Sequence, residues 1–392
     1  MRDQESLDTR GETAGWADAV IVGGGVIGLS IARALAGRRV GRVLLIERGR
    51  VGAGSSRAAA GMLAAQAEAN AADDFLRLTC ASRDLYPSFA DALLEETGLS
   101  IELERTGTLY LAFTEEDEAE IASRHEWQKR AGLNVEALTV DEVRHREPNV
   151  SPEVRRALSF PQDVQVENRR LVAALAVSLE RAGVQLVTGV SVLSLMVERG
   201  RVTGVETSRG KLSSPVVVLA GGAWTSFIEH GAAGPMPFRV EPVRGQMLCF
   251  ESNPRAFRHV IYSPRGYLVP RLDGRLLAGS TTEHAGFDAS VTGGGVHTIS
   301  KHALEIGPIV GRLPLQDAWA GLRPRATLDD LPVLGGSAEV GGLYYATAHY
   351  RNGILLAPLT GELIADEITT EKRPPLLEAF TPDRFRESVR VG

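Results

Sequence analysis

Apolar positions along this chain follow two periods, and an element ends wherever the period changes. Ala19-Val20-Ile21-Val22 is a continuous apolar run, the pattern of a strand buried on both faces. Residues 29–36 follow with helical character, and Arg42-Val43-Leu44-Leu45-Ile46 is a second strand ending in Glu47. From 73 to 98 the residues Phe75, Leu78, Leu85, Phe89 and Leu93 recur at helical intervals. Residues 101–103 and 108–113 then predict strands, 115–131 a charged, exposed helix, and Thr139 the cap of a short helix. An amphipathic helix over 168–182 leads to a strand at 184–187, a β-meander over 190–197 and 202–207, and an unbroken apolar run at 215–220. Alternation governs 245–250, 266–270 and 276–279, with Asp273-Gly274 as the hairpin turn between the last two. A helix over 296–306, a strand over 343–348 and a helix over 359–368 complete the series.

Strand, turn, helix and strand at the start of this series enclose Gly23-Gly24-Gly25-Val26-Ile27-Gly28, a Gly-x-Gly-x-x-Gly turn. Each glycine has a mechanical role there. Gly23 makes the tight turn, Gly25 allows close backbone approach to a pyrophosphate, and Gly28 permits close helix–strand packing. Helix N–H groups face the phosphates, and Glu47 stands where a ribose hydroxyl is held. These features specify a dinucleotide without separating a nicotinamide from a flavin. The small-residue run from 51 to 62, Val-Gly-Ala-Gly-Ser-Ser-Arg-Ala-Ala-Ala-Gly-Met, points to the flavin. An extended FAD lying along the chain needs hydroxyls, N–H groups and close backbone approach directly after the ribose acid, which a nicotinamide enzyme does not. Gly221-Gly222-Ala223-Trp224, at the end of a buried strand, offers a second close approach of backbone to a ligand.

The expected fold is α/β (α+β overall), a Rossmann-like FAD-binding domain interleaved with an antiparallel-sheet substrate domain. Residues 1–16 are expected as a disordered tail. Segments 17–90, 150–237 and 320–385 are assigned to the FAD-binding domain, and 91–149 and 238–319 to the substrate domain.

Composition narrows the function. The 392 residues carry a net charge of −6 and no dense basic run, which argues against nucleic acid as a partner. No stretch is long and apolar enough for a membrane span, and the first residues lack a signal-peptide core, so a cytoplasmic protein is expected. Two cysteines without a Cys-x-x-Cys pair exclude dithiol chemistry and cysteine-based zinc sites. His297 and His302 lack a matching carboxylate pattern, so no metal is expected. A second Gly-x-Gly-x-x-Gly for NADPH is missing, and reducing equivalents should come from the substrate directly.

Several stretches together resemble the D-amino-acid-oxidase-type flavoproteins, and within them the glycine-oxidase branch of thiamine biosynthesis. They are 22–28, 55–63, 160–167, 267–271, 319–324 and 349–358, within a likeness running from about 19 to 368. The resemblance implies that Val26 and Ile27, Glu47 and Arg48, Ser55 and Ser56, and Ala60, Gly61 and Met62 line the FAD. It implies that Val192 offers backbone to the adenine end. His349, Tyr350, Arg351, Asn352, Gly353, Ile354 and Leu355 would return beside the flavin ring. Arg323 would pair with the substrate carboxylate, Tyr267 would hydrogen-bond the substrate, and Arg351 would support the same pocket. Members of that branch carry Met where this chain has Thr282, which would make one pocket wall smaller and more polar.

The chemistry asks for these residue types. Removing two electrons from a C–N bond as hydride needs orientation and desolvation: a clamp on the carboxylate and the Cα held over the ring. Arginine suits the clamp, because its planar fork binds a carboxylate bidentately and stays charged. Taken alone, the residues leave Arg323 open as an interdomain salt bridge and Tyr267 as strand packing. The leading reading is oxidation of glycine or another small amino acid or amine, with oxygen as acceptor and non-covalent FAD, since Cys80 and Cys249 lie away from the pocket segments. Two alternatives stay open: a D-amino-acid or sarcosine-type dehydrogenase passing electrons to a quinone or protein, and a flavin-binding partner protein without turnover. A homo-oligomer is compatible with the sequence.

Overall fold

The computed structural model describes residues 15–385. Four sheets carry the architecture, and two of them dominate. The first has six strands in the order Val333–Gly336, Leu343–Thr347, Val217–Leu219, Ala19–Val22, Val43–Glu47, Gln185–Thr188. Its outermost pair, 333–336 with 343–347, is antiparallel and every other pairing is parallel. Ala19–Val22 is central and wholly buried, as its unbroken apolar run requires. Its chain continues to one side, into Val43–Glu47, while Val217–Leu219 lies on the other. The crevice beyond the carboxyl ends of these two neighbours is the switch point where open α/β sheets bind ligands.

Three helices cover one face of that sheet and share its core: Val26–Gly37, Asn168–Arg181 and Gly353–Thr370. The first and last touch closely, because a Cβ at Gly361 would lie 2.8 Å from the Ser30 carbonyl oxygen. The helix Gly353–Thr370 begins six residues before its expected start. Pro358, just before the expected start, sits inside it. A proline there has no N–H for the carbonyl four residues back. The buried Tyr86 hydroxyl supplies that missing donor to the Ile354 carbonyl, and the Ser82 hydroxyl donates to Leu355 at 2.6 Å. Both come from the long helix Asp74–Thr97, capped by Asp73 and ended by Gly98 in the left-handed region.

The second large sheet has eight strands, in the order Leu315–Ala326, Val240–Glu251, Arg275–Gly279, Gly266–Pro270, Val260–Ser263, Thr108–Ala112, Arg156–Phe160, Glu136–Leu138. All pairings are antiparallel except 260–263 with 108–112. The strand 156–160, within the segment 150–237 assigned to the FAD-binding domain, thus pairs in this sheet, and 315–326 spans the segment boundary at 320. Residues 101–103, expected as a strand, form none; Glu104 makes a single bridge to Gln165. Glu102 there holds φ of 53°, which breaks the extended path. Gly15–Trp16, expected within the tail, pair with Leu212 and Ser213 at the edge of a four-stranded meander; residues 1–14 of that expected tail lie outside the described residues.

Among the described residues, no helix is long and apolar enough to cross a membrane.

Candidate active site

A cleft of about 1060 Å³ opens at the switch point and runs to the eight-stranded sheet. Its floor is the glycine turn. Gly23 has φ of 114°, and a Cβ on it would stand 2.4 Å from the Ala220 carbonyl oxygen of the neighbouring strand end. A Cβ on Gly28 would meet the Gly23 carbonyl oxygen at 1.9 Å. Gly28 therefore packs the turn and does not line the cleft, unlike Gly23, Gly25, Val26 and Ile27. The helix Val26–Gly37 starts here with no acidic residue in its first turn and no side-chain cap from Gly25. Its exposed positive end suits a diphosphate.

Glu47 and Arg48 form the next wall. Glu47 accepts from the N–H of Gly24 at 2.8 Å and of Gly49 at 2.7 Å, which ties the second strand to the turn. Arg48 stacks on the Trp224 ring at 3.8 Å. Ser56 lines the cleft and accepts from the Val26 N–H at 3.0 Å, while the Ser55 hydroxyl turns to the Leu322 carbonyl. Ala60, Gly61 and Met62 continue the same wall, and Val192 stands at the far end with Ser191 and Glu206. His349, Tyr350, Arg351, Asn352, Gly353 and Ile354 return to it from the C-terminal third. Leu355 does not: it is buried in the core, because the helix it belongs to has already turned its side chain inward. His349 offers the cleft no titrating ring. Its side chain is enclosed beside Thr360 at 3.2 Å, and burial pushes it down to about 3.

At the other end the wall is made of side chains from the eight-stranded sheet. Arg323 lies opposite Val243 in the pairing and folds across the neighbouring strand. Gly245 makes that possible, since a Cβ there would fall 2.2 Å from Arg323 Nη2. The guanidinium donates to the Thr281 carbonyl at 3.0 Å and the Ser280 hydroxyl at 2.7 Å. Among the described residues no carboxylate pairs with it, and burial lowers its pKa from the ordinary arginine value. Thr282, expected as a pocket wall, is exposed and lines nothing here; its two predecessors hold the arginine instead.

Tyr267 is buried with its hydroxyl 3.3 Å from Met247 Sδ, and both line the cleft. Arg351 is brought to the same end but is occupied: Glu68 pairs with it at 2.8 Å and raises its pKa further. Glu68 was not legible in the sequence, being one acid after an alanine-rich stretch with no motif around it. It is presented by a fully buried network. Asp163 accepts from the Gln66 and Ala67 N–H groups at 2.9 and 2.7 Å and from Arg83 at 3.1 Å. Gly245 and Met247 were equally hidden, because their roles depend on pairing with Gly321 and Trp319 in a strand far along the chain.

The fit to a flavin dinucleotide rests on the glycine turn, whose Gly23 and Gly28 leave no room for a Cβ, and on one continuous cleft joining it to an arginine with no carboxylate partner among the described residues. The family model for FAD dependent oxidoreductases matches residues 18–367. The chain is 38% identical to glycine oxidase of Geobacillus kaustophilus over 377 residues, 95% of this chain and 98% of that one. The crystal structure of glycine oxidase from that organism superposes with a TM-score of 0.89 at 35% identity, covering 94% of this chain and 99% of that one. The bifunctional protein ThiO/ThiG of Synechocystis is 35% identical over 94% of this chain, which spans 54% of that protein. The chain belongs to the FAD-dependent oxidoreductase family of the D-amino-acid-oxidase type.

Proposed function

We propose that the protein oxidises glycine, or an amine or amino acid of similar size, at its C–N bond with non-covalent FAD and passes the electrons to oxygen. The observation that carries this reading is Arg323, a cation with no acidic partner among the described residues, at the end of the cofactor cleft beside Tyr267. A buried cation without a counter-ion is costly, and a substrate carboxylate removes that cost. FAD, when bound, supplies the two-electron acceptor. The residues supply the rest. Gly23, Gly25, Val26, Ile27, Glu47, Arg48, Ser55, Ser56, Ala60, Gly61, Met62 and Val192 line the part of the cleft that would hold it. Arg323 fixes the carboxylate, and Tyr267 orients the substrate from a strand of the same sheet, with two strands between them. Arg351, neutralised by Glu68, closes the site and does not compete for the carboxylate. The uncapped start of Gly353–Thr370 aims its positive end at the cleft, which favours negative charge accumulating there.

The product imine would hydrolyse to the 2-oxo acid and ammonia, or be consumed as the imine in thiazole formation for thiamine in the cytoplasm. The likeness to glycine oxidases over nearly the whole chain supports glycine as the substrate. Anaerobic reduction of the flavin by glycine, sarcosine, D-alanine and D-proline, followed by peroxide measurement in air, tests the reading. Glycine should bleach the flavin most effectively and yield one peroxide per turnover. Bleaching without peroxide would assign a different electron acceptor, and no bleaching by any of the four would overturn the assignment.

A further inference from the structure

Behind the cofactor wall lies a charge that the proposed reaction does not use. Arg271 follows the strand Gly266–Pro270 and is among the largest fully enclosed side chains of the protein, 2% exposed. Among the described residues no carboxylate pairs with it. Its guanidinium donates to carbonyls instead: Val166 at 2.7 Å and Ala60 at 2.5 Å, with the Gln165 and Asn168 side-chain oxygens at 3.1 and 3.4 Å. Its Nε has no partner. Such a burial is expensive unless something offsets it.

The position of this charge is informative. Ala60 and Gly61 line the cofactor cleft. Gly61 has φ of 73°, and a Cβ on it would come within 2.8 Å of Arg271 Nη2. Only one thickness of backbone therefore separates the guanidinium from the space FAD would occupy. Asn168, which accepts from Arg271, donates in turn to the Ser56 and Arg57 carbonyls at 2.7 and 3.1 Å. One side chain from the substrate-domain sheet thus braces the wall from 56 to 61.

We propose that Arg271 is a positioning residue that also acts electrostatically, holding the 56–61 wall in place and raising the reduction potential of the flavin behind it. The proposal rests on FAD occupying this cleft. Transfer of a hydride equivalent from substrate to the oxidised ring moves two electrons and one proton, leaves the substrate as a cationic imine, and adds one negative charge to the ring. A fixed cation in a low-dielectric wall favours the more negative, reduced form, as charge near the ring tunes flavins generally. Burial pushes the guanidinium down to about 10, so it stays charged at neutral pH. Glu167, the acid that acts most strongly on it from nearby, is committed to Arg275 at 3.2 Å.

The test is the two-electron potential of the bound flavin in the wild-type holoprotein, Arg271→Lys, Arg271→Gln and Glu167→Gln, measured by equilibration with a reference dye. Sulfite affinity, which rises with the electrophilicity of the ring, is the second readout. The expected result is a tenfold or greater loss of reduced over oxidised flavin in Arg271→Gln, about 30 mV for a two-electron couple. Arg271→Lys should stay nearer the wild type, and Glu167→Gln should shift the potential upward. Equal falls in the Lys and Gln variants would reduce Arg271 to a brace and overturn the electrostatic part. Should Arg271→Gln not retain FAD, Glu167→Gln decides: an upward shift supports the proposal, and an unchanged potential overturns it. A wild-type protein that binds no FAD would overturn the cofactor reading itself, a separate outcome.

Discussion

The two ends of the cleft are built by different means. At the nucleotide end the ligand surface is backbone: glycines that tolerate no Cβ, a helix start with no side-chain cap, and an acid whose two oxygens already tie the turn together. At the substrate end the surface is side chain, and its two arginines differ sharply. Arg351 is compensated by Glu68, whereas Arg323 has only a hydroxyl and a carbonyl to donate to among the described residues. Backbone surfaces bind any molecule with the right phosphates. A geometrically fixed cation without a counter-ion selects one charged group, so on the proposed reading the specificity of the reaction belongs to that end.

The contrast can be broken at either end. The largest effect is expected for Gly28→Val, whose Cβ would stand 1.9 Å from the Gly23 carbonyl oxygen. The purified protein should be colourless, read as loss of the flavin absorbance, with no recovery on adding FAD. Arg323→Ala should remain yellow but lose about 3–4 kcal/mol of substrate and transition-state binding, read in kcat/KM for glycine. Retention of wild-type kcat/KM would remove the clamp assignment.

His349 lies in the cleft wall with its side chain enclosed, and its burial makes a pH prediction. Its folded pKa is depressed to about 3, while the unfolded ring titrates near 6.5. A depressed folded value means the unfolded chain takes up the proton first. The contribution to stability is fully present above pH 6.5 and is lost as pH falls toward 3. At pH 5 the loss is about 2 kcal/mol. Urea unfolding of the holoprotein at pH 7.5 and 5 should show this loss in the wild type and about 2 kcal/mol less of it in His349→Asn; equal losses would show that the ring does not titrate on unfolding.

The smallest effect sharpens the comparison of the arginines. Glu68→Gln frees Arg351, so simple carboxylate inhibitors should bind about tenfold more tightly, roughly 1.4 kcal/mol, by flavin difference spectra. Unchanged or weaker binding would mean that Glu68 does not hold Arg351 away from the carboxylate.

The same contrast explains what was legible in the sequence. The nucleotide end is local: strand, glycine turn, helix and acid fall within 29 residues, so spacing alone reveals it, as it does the helix cap Thr139. The substrate end is assembled by pairing across the eight-stranded sheet. Arg323 could be named from its surrounding motif, but Gly245, which makes room for it, could not, because their contact depends on register. Thr282 was placed in the pocket by analogy and lies outside it, since the chain turns away after Thr281. The early start of the last helix was hidden too, because the Tyr86 hydroxyl that makes Pro358 tolerable inside it lies 268 residues before the Ile354 carbonyl it serves.

Anaerobic reduction of the wild-type flavin by glycine and by glycinamide tests the central claim most directly, since the amide keeps the size of glycine and lacks the charge that Arg323 is held to recognise. Glycine should bleach the flavin at concentrations at least about a hundredfold below those glycinamide needs. Equal reduction by the two would contradict the account.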